Sequence, residues 1–329
     1  MKTRKIFEIP VRWVALADFQ DEPGIYGMSF GFDPQPIARS IEAVGLINAP
    51  LVERDSRGRV EIVSGYRRIM ALKRLGWKKV PCKDISGAAA SQLDLFLVGL
   101  HENLSTRPFN TVEKAMVLSR LSTWMPEDEI IELYMPLLGL PRHRPTFQIY
   151  TALERGLDTR AKLSLAGGRL SLKAAGMLLD TDEKSRKALI EWIINLNLNF
   201  NQQLQFIDMI LDLSYNNKCP IPAVLEDDPF KSFISDRPLN LPQRAKALMR
   251  EIRKLCFPRL AAAERSFKAT LSRLNLPDGV ALQAPAYFEA PDYLLQVRFK
   301  KGRELREKLR ALSEMTEMDQ LGDPWEETD

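Results

Sequence analysis

The chain has little cysteine and less histidine: three cysteines (Cys82, Cys219, Cys256) and two histidines (His101, His143) among 329 residues. Their spacing matches no zinc-ligand pattern, and three thiols cannot build a disulfide framework. Two histidines leave no legible Ser/His/Asp or Cys/His catalytic set. No stretch approaches the ~18–20 uninterrupted apolar residues that a bilayer span needs. The opening Met1-Lys2-Thr3-Arg4-Lys5-Ile6 carries charge with no apolar run behind it, so no secretory leader, no membrane partner and a cytoplasmic location are expected. Internal repeats and low-complexity tracts are lacking too. Apolar residues at 45% and charged residues at 27% describe a globular chain, and its length predicts two or three domains.

Net charge is also scarce. Lys and Arg total 47 against 43 Asp and Glu, leaving +4. The distribution says more than the sum. Arg67, Arg68, Lys73, Arg74, Lys78, Lys79 and Lys83 form one basic island without an acid, and 142–173 and 241–274 form two more. After Arg310 the chain carries only acids: Glu314, Glu317, Asp319, Asp323, Glu326, Glu327 and Asp329. Basic islands cancelled by an acidic tail fit polyanion binding, although each island also reads as the solvated face of a helix.

Residues 6 to about 105 read as α/β. Ile6–Ile9 is a strand candidate, and Pro34–Gly45 a helix stopped by glycine. Leu51–Arg54 and Val60–Val63 flank Asp55-Ser56-Arg57-Gly58, a hairpin signal. Ser64-Gly65-Tyr66-Arg67-Arg68 opens a helix closed by Gly76, Lys79–Lys83 returns as a strand, and Ser91–Leu104 is helical. From Thr111 to about Ser214 the pattern is helical throughout. The helix over 126–138, the Gly139-Leu140-Pro141 turn and the helix from Pro145 match a helix-turn-helix, a pattern any helical bundle can also produce. Five prolines and the Asn216-Asn217 and Asp227-Asp228 pairs make 216–242 read as a linker. A basic helix broken at Pro258, strands at Val280–Gln283 and Tyr293–Phe299, and a helix over 302–312 form a small α-β-β-α unit, which a second copy would help to stabilise.

The Ser64–Arg68 turn is the most suggestive local feature. A glycine at a strand-to-helix junction leaves N–H groups open at a helix start, and two guanidiniums follow in the first turn. That combination favours an anion. The residues are equally consistent with a plain turn whose arginines face water. Glu102-Asn103 at a helix end offers two hard oxygens suited to Mg²⁺ beside a polyphosphate.

The order of these segments resembles the ParB partition family. Ser40-Ile41-Glu42-Ala43-Val44-Gly45-Leu46-Ile47 resembles its SI-x-x-x-GL segment, and Ser64–Ala71 with Gly76 and Val80-Pro81 its GERR box. Glu102-Asn103-Leu104 followed by Asn110–Ala115 is similar to its ENL stretch, and the likeness continues through Leu153–Ser171, Asn199–Gln203 and the C-terminal unit. The resemblance implies an α/β ParB/sulfiredoxin-like nucleotide-binding domain (1–108), an all-α helix-turn-helix DNA-binding domain (109–215), a linker (216–242), a small α+β C-terminal dimerisation domain (243–314) and an acidic tail (315–329). It implies a nucleoid-associated homodimer that clamps double-stranded DNA under the control of CTP and Mg²⁺, in chromosome or plasmid partition, with a partition ATPase as partner.

By position, Gly45, Leu46, Asn48, Ser64, Gly65, Tyr66, Arg67 and Arg68 would lie at the nucleotide, and Glu102 and Asn103 at the metal. Arg142, Arg144, Thr146 and Gln148 would read DNA, and Arg250, Arg253 and Lys254 would contact its backbone. The sequence departs from the family where Tyr66 replaces the box glutamate, Asn48 the glutamine, and Thr106 an arginine that reappears as Arg107. Triphosphate binding stays expected and hydrolysis, as a weak CTPase, does not follow. Tyr66 also stands where the sulfiredoxin branch needs a nucleophilic cysteine. The alternatives are a phosphotransferase or nucleotidase on the same scaffold, with Glu42 or Glu102 as base, and a nucleotide-independent DNA-binding adaptor.

Overall fold

A short edge strand that the sequence pattern did not announce is the first element among the described residues. In the computed structural model, which describes residues 9–55, 57–86, 90–227, 230, 240–285, 288, 290, 292–316, 318 and 321, β1 is Val11–Ala15. The strand expected at Ile6–Ile9 lies outside the described residues except for Ile9. A long loop leads to α1 (Gln35–Val44), followed by β2 (Leu51–Arg54), β3 (Val60–Ser64), α2 (Tyr66–Arg74), β4 (Lys79–Asp84) and α3 (Gln92–Thr106). The sheet order is β1-β4-β2-β3. β1 and β3 run antiparallel to their neighbours β4 and β2, while β4 and β2 run parallel.

Alternating side chains split this sheet between two cores. Val14, Val52, Ile62, Val80 and Cys82 pack with Ala38 and Ile41 of α1 and Ile69 and Leu72 of α2. Leu51 and Val63 point the other way and join Leu95, Phe96 and Leu100 of α3. Helix α3 comes so close that a Cβ on Gly99 would lie 2.5 Å from the Val63 carbonyl oxygen, so only glycine fits there. Asp94 and Ser91 form a reciprocal cap at its start.

The second core does not stop at residue 108. It runs on through Phe109, Val117, Leu118 and Leu121 to Ile130, Met135, Leu138, Phe147 and Tyr150. Apart from Phe109 and Met135, which lie between elements, these belong to α4 (Thr111–Leu121), α5 (Glu127–Leu133), the 3₁₀ turn Pro136–Leu138, and α6 (Arg144–Gly156). The expected division at 108/109 therefore falls within one continuous apolar core. Helices α7 (Thr159–Ala166), α8 (Leu172–Leu179) and α9 (Glu183–Asn195) complete the first compact unit, which ends at Asn195.

The second unit starts at Leu196, inside the helical domain expected over 109–215. Helix α10 (Phe200–Asn216) packs on α12 (Leu241–Cys256), and the Cys256 thiol donates to the Met209 carbonyl at 3.4 Å. This long-range packing across the proline-rich segment places α10 with the C-terminal elements. Within the expected linker, Ile221–Glu226 forms the short α11; residues 228, 229 and 231–239 lie outside the described residues. Helix α13 (Pro258–Arg273) follows the expected break at Pro258. Strands β5 (Val280–Gln283) and β6 (Leu294–Val297) pair antiparallel, and α14 (Gly302–Ser313) closes the α-β-β-α order. The second strand is shorter than the expected Tyr293–Phe299. Most of the acidic tail over 315–329 lies outside the described residues. No described helix is long and apolar enough to cross a membrane.

Candidate functional site

The loop between β1 and α1 is strapped to α4, and this strap builds one wall of a cleft. Arg120 Nη1 donates to the Gly24 carbonyl at 2.7 Å, Asn110 Nδ2 to the Phe30 carbonyl at 3.0 Å, and the Phe30 N–H to Glu113 Oε1 at 3.1 Å. Tyr26, Gly27, Met28 and Ser29 thereby face the Ser64–Arg68 turn and the end of α3 across a cleft of about 420 Å³. Tyr26 is anchored by a hydrogen bond to Glu53. Its phenol pKa is raised above the ordinary value by burial first and by Glu53 second.

Of the residues expected at a nucleotide and metal, Asn48, Ser64, Gly65, Tyr66, Arg67, Arg68, Glu102 and Asn103 line this one cleft. Gly45 and Leu46 are not in its lining. Gly45 instead ends α1 at φ 79°, and Leu46 packs partly buried against the first core. Gly65 has φ 98°, and a Cβ there would lie 3.0 Å from both Cα and Cβ of Pro50. The glycine is thus required by conformation and by the close approach of another chain segment. Helix α2 has no side-chain cap, so its opening N–H groups remain available to a ligand.

The cleft is held by ion pairs rather than left as a pool of loose cations. Arg68 Nη2 donates to Glu102 Oε1 at 2.8 Å and Nη1 to the Asn48 carbonyl at 2.8 Å. Arg67 Nη2 donates to Glu113 Oε1 at 2.6 Å, and its guanidinium lies 4.7 Å from the Phe32 ring centroid. Tyr66 bonds the Asp21 carbonyl and meets Phe32 edge-on, and burial raises its phenol pKa. The tyrosine in place of the family's glutamate is therefore a packing element that fixes the loop.

Arg107 resolves the shifted arginine. Helix α3 ends at Thr106, and Arg107 is extended (φ -161°, ψ 154°), which swings its side chain back into the cleft. It donates to Glu113 Oε2 at 2.7 Å, to the Met28 carbonyl at 3.1 Å and to Ser29 Oγ at 3.2 Å. Burial lowers its pKa, opposed by the Glu113 charge. Glu113 was visible in the sequence only as part of the Asn110–Ala115 segment, and Ser29 carried no signal at all.

Glu102 and Asn103 offer one carboxylate and one amide oxygen to the cleft. Asn103 Nδ2 donates to the Gly99 carbonyl at 2.8 Å, and its Oδ1 accepts from Arg107 Nε at 3.3 Å. This is a partial donor set that fits Mg²⁺ when phosphate and water oxygens complete it. Among the described residues no group of three or more His, Cys, Asp or Glu could hold a metal by itself.

Arg142, Arg144, Thr146 and Gln148 gather at the start of α6, the helix that follows α5 and the Pro136–Leu138 turn, after Gly139 turns the chain at φ 67°. Arg144 pairs with Glu127 at 3.0 Å and Asp128 at 2.5 Å, and Arg142 with Glu132 at 3.2 Å, all three acids lying on α5. His143 Nδ1 lies 3.1 Å from Thr146 Oγ1. In the second unit Arg250, Arg253 and Lys254 line a groove formed by α10, α12 and α13, to which α10 contributes Asp208 and Asp212. Arg253 pairs with Glu264 at 3.1 Å and Lys254 with Glu251 at 2.7 Å.

Residues 32–103 match the family model of the ParB N-terminal domain. A probable chromosome-partitioning protein ParB of Vibrio cholerae is 33% identical over 105 residues, which is 30% of this chain and 34% of that protein. Its Campylobacter jejuni counterpart is 27% identical over 177 residues, 53% of this chain and 59% of that one. A nucleoid occlusion protein of Geobacillus thermodenitrificans is 32% identical over 95 residues, 27% and 32% of the two chains. The matches thus span between about a third and three fifths of these relatives' own length. Among solved structures, the C-terminally truncated ParB from Caulobacter crescentus complexed with CTP-gamma-S is 23% identical at a TM-score of 0.26. That match covers 56% of this chain and 99% of that one. The same protein complexed to the centromeric parS site is 21% identical at 0.32, covering 58% and 96%.

Proposed function

The chain is a ParB family protein by its N-terminal domain, and from that premise we propose that it is a DNA-binding partition protein whose grip on DNA is gated by a nucleoside triphosphate, CTP, with Mg²⁺. One observation carries the reading: the arginine-bearing turn at the start of α2 and the Glu102-Asn103 end of α3 meet in a single cleft. Arg67 and Arg68 with the open N–H groups of α2 would take the phosphates. Glu102 and Asn103 would hold Mg²⁺, which neutralises phosphate charge there. Asn48 would border the nucleoside. Relatives named for chromosome partitioning and nucleoid occlusion favour a chromosomal role over a plasmid one.

The helix-turn-helix of α5 and α6 would enter a DNA groove with Arg142, Arg144, Thr146 and Gln148 at its leading end. Arg250, Arg253 and Lys254 would add sequence-independent backbone contacts. Pairing of two copies through the α-β-β-α unit would make the homodimer, with a partition ATPase as a further partner and the nucleoid as its place of action. As an enzyme the cleft is poorly equipped. A phosphotransferase or nucleotidase needs a free base beside the phosphates; Glu42 does not line the cleft, and Glu102 is the residue given to Mg²⁺.

Calorimetric titration of the full chain with CTP, ATP and GTP, each with and without Mg²⁺, tests the nucleotide half. CTP binding strengthened by Mg²⁺ is the expected result, and no binding of any nucleotide reduces the protein to a DNA-binding adaptor. Gel shifts across salt test the other half. Failure to retain any duplex at about 50 mM salt, where backbone contacts are strong, ends the DNA-binding reading.

A further inference from the structure

Independently of the cleft, we propose that the open edge of β1 and the bare sheet face beside it are a docking site for an extended acidic segment of a partner protein, which adds to the sheet as a fifth strand. The segment that fits carries an acid, an apolar residue and a second acid at alternate positions.

The register shows which backbone groups are open. The Asp84 N–H donates to the Pro10 carbonyl and the Leu16 N–H to the Lys78 carbonyl, both at 2.9 Å. The even-numbered residues of β1 are therefore the ones bonded to β4, and the N–H and C=O groups of Val11, Trp13 and Ala15 point outward. No strand follows on that side, since β1 is the last in the sheet order. Such an edge is ordinarily blunted by a charge or covered by another element. Here the one charge on the strand, Arg12, is drawn back to Asp84, with Nε 3.4 Å from Oδ2. Val11 and Trp13 stand 57% and 66% exposed.

The side chains beside this edge set the chemistry of the partner. Val11, Trp13 and Ala15 lie opposite Lys83, Pro81 and Lys79 of β4, and alternation puts all six on one face. The opposite face, with Val14, Val80 and Cys82, belongs to the first core. Helix α3 packs on the bare side over Leu51 and Val63 of β2 and β3, and Lys79 and Lys83 remain exposed. These lysines belong to the part of the first basic island that the cleft does not take up. A strand added along β1 would set its middle side chain against Trp13 and the side chains two places away beside Val11 and Ala15. Lysine stems on β4 are long enough to cross one strand spacing of about 4.8 Å and bring their ammonium groups toward those outer positions. An apolar residue in the middle with a carboxylate two places to either side meets both demands. Main-chain pairing supplies affinity, and the alternate side chains supply selectivity.

Fluorescence polarisation with the full chain tests this. The probes are labelled Thr-Glu-Thr-Tyr-Thr-Glu-Thr and Thr-Thr-Glu-Tyr-Glu-Thr-Thr, the second with the same composition and charge but with its acids on the opposite strand face from the tyrosine. The first is expected to bind saturably and about tenfold tighter than the second, the scale of one charge-assisted contact. Lys79→Glu with Lys83→Glu should lose the first peptide and gain its Lys-for-Glu counterpart. Trp13→Ala, at an exposed side chain, should weaken the first peptide while thermal unfolding stays parent-like, which keeps the experiment informative if the double variant misfolds. Equal binding of the two peptides overturns the proposal, because charge alone would then be acting without strand pairing. Absence of saturable binding by the first peptide, or binding that survives both the lysine and the tryptophan substitutions, overturns it as well. Duplex or single-stranded DNA that loses affinity for the lysine variant, while the parent ignores the peptides, gives this face to nucleic acid and overturns the protein partner.

Discussion

Arg68 and Glu102 face each other across 2.8 Å, joining the turn that opens α2 to the end of α3. Each is the residue that a Mg²⁺-nucleotide would want for itself. Phosphate would draw the guanidinium and the metal would draw the carboxylate, so the pair has to part for both to bind. Arg68 would exchange one anionic partner for another, and Glu102 one cationic partner for another, with little net charge left uncompensated.

Glu102→Gln therefore changes the metal dependence of binding more than binding itself. The amide no longer competes for Arg68 and holds Mg²⁺ poorly. Parent CTP affinity is expected to rise with Mg²⁺, and the variant's to stay flat, its metal-free value no weaker than the parent's. Titrations at zero and saturating Mg²⁺ check this. A variant as responsive to Mg²⁺ as the parent removes Glu102 from the metal.

Gly65→Ala is expected to be costly in two ways. At φ 98° a Cβ carries a backbone penalty of about 1–2 kcal/mol. The same methyl would press within 3.0 Å of Pro50 and 3.1 Å of Arg68 Nη2. The denaturation midpoint should fall, and CTP binding should fall further than stability alone accounts for, because Arg68 is displaced. Gly45→Ala, also at positive φ but with nothing within 4 Å of its Cβ, should lose stability while leaving the cleft intact.

The contrast between these glycines shows what was legible in the sequence. Gly45 and Gly65 both announce turns locally, and both helices were placed to within a residue or two. Which of the two meets another segment depends on Pro50, a long-range contact with no local signature. Arg107 was legible only as an arginine one place late. Thr106 and Arg107 both line the cleft, and it is the extended backbone at Arg107, where the chain leaves the helix, that brings the later side chain in. Ser29 sits in a loop without periodicity, 38 residues from one arginine partner and 78 from the other. β1 escaped because Val11 and Trp13 are exposed and Arg12 interrupts the apolar pattern. Packing of α10 on α12 was hidden by the prolines between them, which signal a break in the helix and say nothing about which helices meet across it.

Asp84 gives the first unit an acid-sensitive joint. Burial tends to raise its pKa, but hydrogen bonds from the Ser86 hydroxyl and N–H, with Arg12 and Arg54 beside it, hold the pKa below the usual carboxylate value. A lowered folded pKa means that the charged form contributes stability fully above the unfolded value of about 3.9, lost as pH falls through the folded pKa. Asp84→Asn should lower the melting temperature at pH 7, and the gap between variant and parent should narrow on going to pH 3. An equal gap at both pH values removes the ionised carboxylate as the cause.

The end of α6 proposed to read DNA carries its own counter-charges. Arg144 is bound by Glu127 and Asp128 of the preceding helix, so a phosphate or a base edge must compete with two carboxylates. Both pairs are solvent-exposed, which makes each worth at most about 1 kcal/mol and easily exchanged. Glu127→Gln with Asp128→Asn should therefore tighten duplex binding at low salt by several-fold. The two lost negative charges also reduce repulsion of the backbone, so a general electrostatic gain has to be separated from release of Arg144. Arg144→Ala in the double variant separates them: if release of the guanidinium is the cause, the added affinity disappears, and if it persists the acids act only through the local field. Salt titration of gel shifts gives the second check. The double variant should show the steeper fall of affinity with salt, because one more cation then reaches the DNA backbone.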